Sequence, residues 1–155
     1  MALFFLLRKD AVYMSTLKDL VNKKKNRRKD TPTKGEFYSK SEDFTFVFKK
    51  CNEDLFFYLM DKFPLAFSEQ PKIAELLKAM NNLIYECVVI DNCKTLKDKE
   101  VQEALEIDTK DRKNLIDNSA KALIEDFTER LELGTKILEF SGFGNGSEQV
   151  AEIKN

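Results

Sequence analysis

The chain has 155 residues, 43% of them hydrophobic, with thirteen phenylalanines and a formal net charge of −1. That length supports one folded core, and that composition excludes an intrinsically disordered chain. Five glycines and three prolines are too few for a β-sandwich, which needs turn residues roughly every 8–12 positions, so composition favours helices.

The first periodic segment places Leu3, Leu7, Ala11, Met14, Leu17 and Val21 on one helical face and predicts an N-terminal helix over residues 1–22. Met14 would itself begin an ordinary polar N-terminus, but the helical pattern upstream of it argues for residues 1–13 as part of the protein. Six cations then fill seven positions: Lys23, Lys24, Lys25, Arg27, Arg28 and Lys29. Repulsion at i,i+4 is expected to fray the helix there, and Pro32 and Gly35 predict a basic linker over residues 23–40.

An acidic helical region is expected over residues 41–140. Ser39 and Glu42 have capping-box spacing, or Ser41 caps, and Phe44, Phe48, Cys51, Leu55, Leu59 and Phe63 continue a helical face until Pro64. The stretch FTFVF alternates like a strand, yet the longer helical register predicts a helix. Ser68 and Pro71 open a core helix whose face carries Ile73, Leu76, Leu77, Met80, Leu83, Ile84, Cys87, Val88 and Ile90. Thr95 and Asp98 suggest the cap of a short helix with Val101, Ala104 and Leu105.

A long helix is then predicted from about Lys110 to Phe140, with a seam through Leu115, Ile116, Ser119, Ala120, Leu123, Phe127, Leu131, Gly134, Ile137 and Leu138. Its apolar arc covers about half the circumference, too broad for one partner helix, so several neighbours or a second chain should cover it. Residues 141–155, with three of the five glycines, predict a flexible tail. The expected fold is all-α: one helical domain over residues 1–140, built as a bundle of four to five helices with one long C-terminal helix.

The chain contains no histidine. Ser-His-Asp and Cys-His nucleophile systems, His-ligated zinc and histidine proton transfer are thereby excluded. Cys51, Cys87 and Cys93 have no CxxC spacing and read as reduced thiols, with Cys87 and Cys93 the pair nearest in sequence. Glu125, Glu129 and Glu132 have i, i+4, i+7 spacing, but the helical wheel sets them opposite the apolar seam, as a solvated face. GFGNG matches a phosphate loop only in glycine content. Phe44, Phe46, Phe48, Phe56, Phe57 and Phe63 read as core and not as base-stacking platforms. No catalytic set, metal site, cofactor or small-molecule substrate is expected.

The opening MALFFLLRKD lacks a basic n-region and its apolar run stops at Arg8, so no export signal is predicted. No stretch approaches the roughly 18 apolar residues of a membrane span, and a cytoplasmic protein without a membrane partner is expected. Charge is uneven. Residues 1–40 hold eleven Lys and Arg against four Asp and Glu, +7, and residues 41–155 hold fifteen against twenty-three, −8. This partition predicts a non-enzymatic accessory or regulatory protein whose basic arm, Lys23 to Lys29, contacts DNA or RNA phosphates. A protein partner or homodimer through the long helix is expected beside it. The alternative is a helical protein-interaction module, an adaptor, inhibitor or chaperone-like protein, in which the basic run only solubilises.

Overall fold

The computed structural model describes residues 16–29, 32–91 and 93–144. The chain divides into two units, Met1–Thr33 and Lys34–Asn155.

In the first unit, residues 16–29 form helix α1, and every residue in it is exposed. The helix runs through Lys23 to Lys29 instead of fraying before them. Lys and Arg are good helix formers, and their long stems spread the charged heads into water, so propensity outweighs a repulsion of a few tenths of a kcal/mol per pair. The predicted helix over residues 1–15 lies outside the described residues.

The second unit corrects the all-α expectation. Residues 34–39, predicted as linker, form strand β1 (Lys34–Ser39), and FTFVF forms strand β2 (Phe44–Lys49). The two pair antiparallel from Lys34↔Lys49 to Ser39↔Phe44. A two-residue strand β3 (Val88–Val89) adds to β2 opposite Phe48 and Val47, giving sheet order β1-β2-β3. The alternation won because Phe46 and Phe48 reach the core on one face of the sheet while their neighbours stay outside it. The helical register linking Phe44, Phe48 and Cys51 has no such outlet. Gly35 completes the hairpin: a Cβ there would stand 2.4 Å from the Phe48 ring, so only glycine lets that ring lie across β1.

The Ser39–Glu42 spacing marks a turn, not a helix cap. The Ser39 hydroxyl accepts from the Glu42 backbone N–H at 3.1 Å, and Asp43 takes the left-handed conformation that returns the chain into β2. A serine bonding three residues ahead is common to caps and turns, and the packing of the next few residues decides between them.

Helix α2 (Glu53–Lys62) starts at Asn52, whose side chain accepts from Leu55 N–H, and ends before Pro64. A short 3₁₀ turn leads to α3 (Ile73–Cys87), the predicted core helix, with Leu76, Met80, Leu83, Ile84 and Cys87 buried. Helix α4 (Lys99–Ala104) follows Asp98 as expected, and the Asp98 carboxylate accepts from Thr95 N–H.

The long C-terminal helix is two. Helix α5 (Leu115–Leu123) stops at Ile124, whose backbone is extended, and Asp126 caps α6 (Phe127–Phe140) by accepting from Thr128 N–H. The break lets each half turn its own apolar stripe inward. Ser119, Ala120 and Leu123 of α5, Ile124 itself, and Leu131, Gly134, Ile137 and Leu138 of α6 are all buried within this unit. Most of the half-circumference arc therefore packs against α3, while Leu115 and Ile116 are half-buried and Phe127 is exposed. Gly134 brings α6 onto α3 at Met80, where an added Cβ would sit 2.5 Å from the sulfur. Residues 141–144, expected as tail, close α6: Phe143 N–H bonds back to the Leu138 carbonyl and the Phe143 ring stacks on Phe56 at 4.4 Å. Residues 145–155 lie outside the described residues.

Candidate nucleic-acid interface

The six predicted cations stand on two successive turns of α1, the last of its described residues. A rise of about 1.5 Å per residue packs Lys23 to Lys29 into about 9 Å of helix axis, one charge per about 1.5 Å. That density is close to the one negative charge per about 1.7 Å that duplex DNA presents. At 100° per residue the six span an arc of about 240°, leaving Asp19, Asn22 and Asn26 on the remaining side. The apolar face changes character along the helix: Leu17 and Val21 are succeeded at steps of three and four by Lys24 and Arg28. Leu17, Leu20 and Val21 are themselves exposed. None of the six cations forms an ion pair among the described residues; the pairs present there are Lys94 with Glu100 and Lys97 with Glu86.

The other candidate groups are used structurally in the second unit. Glu129, expected on a solvated face, holds the β1–β2 turn. Its carboxylate accepts from the Ser39 hydroxyl at 2.6 Å, from Ser41 N–H at 3.0 Å and from the Ser41 hydroxyl. Burial by itself would raise the Glu129 pKa, but the bonds from Ser39, Ser41 and Lys40 hold it below the ordinary carboxylate value. Across the same junction Glu42 accepts from Glu125 N–H, a backbone group freed by the break between α5 and α6. No cluster of acidic and cysteine side chains suited to a metal ion occurs among the described residues.

Cys87 finds Cys51, not Cys93. Both thiols are buried, Cys51 donating to the Asn52 carbonyl at 3.3 Å, and the neighbouring Cys51 thiol together with burial pushes Cys87 well above an ordinary thiol pKa. A thiol held neutral is a poor nucleophile. Cys93 is exposed.

Sequence reasoning missed the buried arginine. Arg130, on α6, donates to the Asn81 side-chain oxygen at 3.2 Å, and Asn81 donates to Asp117 at 3.0 Å, so an amide links the guanidinium to a carboxylate. Burial lowers its pKa, opposed by Asp117 and Asp126. The signal was faint: Arg130 follows Glu129 and precedes Leu131 on a helix whose facing partner cannot be read from sequence.

No helix among the described residues is long and apolar enough to cross a membrane. No family model matches the chain, and no curated protein and no solved structure matches it.

Proposed function

We propose that the protein is a non-enzymatic, cytoplasmic accessory or regulatory protein that contacts nucleic-acid phosphates through α1, with the acidic unit Lys34–Asn155 as the body that α1 serves. The single observation behind this reading is the exposed helical display of Lys23, Lys24, Lys25, Arg27, Arg28 and Lys29, without an ion pair among the described residues. Six like charges within two turns repel one another and bury nothing, a cost that a polyanion relieves. An arc of about 240° suits a helix lying between two rows of phosphates, because cations then face both walls. Phosphate contacts position a protein without reading bases, so the expected binding is sequence-independent.

The test is fluorescence anisotropy of the full chain with a labelled DNA duplex and with a labelled RNA, across a salt series. Six phosphate contacts predict a slope of log K against log salt of about −5 on duplex. Alanine at all six positions should abolish that slope and weaken binding at low salt at least about 100-fold, while the helix persists because alanine is the best helix former. Binding that survives the six substitutions, or no binding of either nucleic acid at low salt, overturns the reading.

A second reading, a protein-interaction module, is favoured by α2. Phe57, Tyr58 and Met60 on that helix and Leu65 just beyond it are exposed large hydrophobic side chains. Such a patch marks a protein contact more often than a phosphate contact. Light scattering separates the two: a monomer that also fails to retain a protein from its native host has no use for the patch.

A further inference from the structure

The sheet is unfinished along β2. On one side β2 pairs with β1 through all six of its residues, from Phe44 to Lys49. On the other side β3 pairs only with Val47 and Phe48. Beyond Val89 the chain turns away, and Ile90 bridges to Lys94 instead of continuing along β2. The backbone of residues 44–46 therefore has no strand partner on that side among the described residues. Natural proteins guard such edges with charge, proline or a bulge. The Phe-Thr-Phe here carries none of these, and Phe44 is 58% exposed against the edge of the Phe46 ring.

That edge opens into a cleft of about 510 Å³, within the range of peptide- and ligand-sized sites. Its floor is apolar, with Phe46, Ile90, Val101, Leu105 and Leu123, and its rim carries Glu42, Asp91 and the Lys94–Glu100 pair. A smaller polar cleft adjoins it through Glu42, Leu105 and Ala122 and adds Lys121 and Glu125. Around both clefts four carboxylates face two lysines, one of them already engaged by Glu100.

We infer that this cleft binds an extended peptide segment of a partner protein, which adds a strand to the free edge of β2 at residues 44–46. The segment would place apolar side chains on the floor at alternate positions and a Lys or Arg beside Glu42 and Asp91. Three observations converge on that occupant. Unpaired strand backbone asks for N–H and C=O groups, which an apolar small molecule lacks. The floor accepts side chains at the period of two that a strand provides. The surplus of rim carboxylates selects basic over acidic flanks. Neither α1 nor nucleic-acid binding enters into this contact.

The experiment uses the full chain and a labelled hexapeptide, Lys-Ile-Lys-Ile-Lys-Ile, read by anisotropy at 150 mM salt. Binding in the micromolar range is expected, with the Glu-Ile-Glu-Ile-Glu-Ile counterpart at least tenfold weaker. Two N-methylated forms carry the decisive contrast, one blocked at every Ile nitrogen and one at every Lys nitrogen, because alternate N–H groups of a strand point to one side. One form should lose at least tenfold and the other remain within threefold. Ala104→Trp, which fills the cleft from an exposed position on α4, should also cost at least tenfold at unchanged thermal midpoint, with Ala122→Trp as a second blocking variant. Absence of binding at 1 mM peptide overturns the inference. So does an equal effect of the two methylated forms, equal affinity for the acidic peptide, or full binding by both tryptophan variants.

Discussion

The fourteen described residues of α1 and the fourteen of α6 put one secondary structure to opposite uses. All of α1 is exposed, and seven of its residues are Lys or Arg. In α6, seven residues are buried, Arg130 among them, and Gly134 lies against Met80 of α3. The described part of α1 buries no side chain and rests on propensity in water, whereas α6 is held by tertiary packing. The contrast separates two uses of one secondary structure. Residues of α6 are chosen by what they touch inside the chain, and residues of α1 by what they present outside it.

The comparison predicts that substitutions in α6 change stability and substitutions in α1 do not. The largest effect is expected from Gly134→Ala. Alanine gains about 1 kcal/mol of helix propensity, but its Cβ would lie 2.7 Å from Met80 Cβ, which sits too close to the α3 backbone to swing away. Overpacking typically costs about 1–3 kcal/mol, and with three Met80 atoms within 2.9 Å of the new Cβ the upper end applies, leaving a net loss of about 2 kcal/mol that is visible as a lower denaturant midpoint. A neutral or stabilised variant would show that α6 and α3 are not in the close contact described.

Glu129→Gln should cost about 1 kcal/mol, since a neutral amide cannot replace the charge-assisted bonds to Ser39 and Ser41. The effect has a pH signature. The folded-state pKa of Glu129 lies below its ordinary value of 4.5, so the stabilisation is fully present above about pH 4.5 and is lost as pH falls through the depressed folded value. Denaturation midpoints from pH 6 to pH 3 should fall more steeply for the native chain than for the variant. Equal slopes would remove Glu129 as the carboxylate that fastens the hairpin.

The smallest effect is expected in α1. Leu17→Ser together with Leu20→Ser alters two exposed apolar side chains and should shift the unfolding midpoint by no more than about 0.5 kcal/mol in free energy. A loss of 2 kcal/mol would show that these leucines are buried in solution, and the contrast between the two helices would collapse.

Where local signals agreed with tertiary demands, the reading of the sequence held. Residues 73–87 are apolar at helical spacing over four turns, and α3 sits there. The expected opening at Ser68 and Pro71 and the continuation of its face to Val88 and Ile90 did not hold, since Lys72 precedes the helix and Val88 enters β3. Asp98 likewise marked α4. The hairpin failed to show because Phe44 and Phe48 satisfy both a period of two and a step of four, and Ser39 serves a turn as readily as a cap. The six cations Lys23 to Lys29 were legible as a charge run, but their helical presentation was not, since repulsion within the run argues against a helix and propensity argues for one. The β2 edge and its cleft left no trace, because the lining residues come from segments as far apart as Glu42 and Leu123.

Composition and periodicity by themselves determined that this chain folds around an apolar core, that α3 runs through it, and that cations gather near one end. These follow from each residue's own hydration and from neighbours within one turn. Only the tertiary structure decided that Phe46 and Phe48 belong to a strand, that the C-terminal helix breaks at residues 124–126, and that Glu129 binds a hairpin rather than water. The strand pairs with β1 nearby, but its burial and the other two choices depend on residues about 40 to 90 positions away, such as Val88 for Phe48, Met80 on α3 for α6 and Ser39 for Glu129, and local sequence carries no record of such partners.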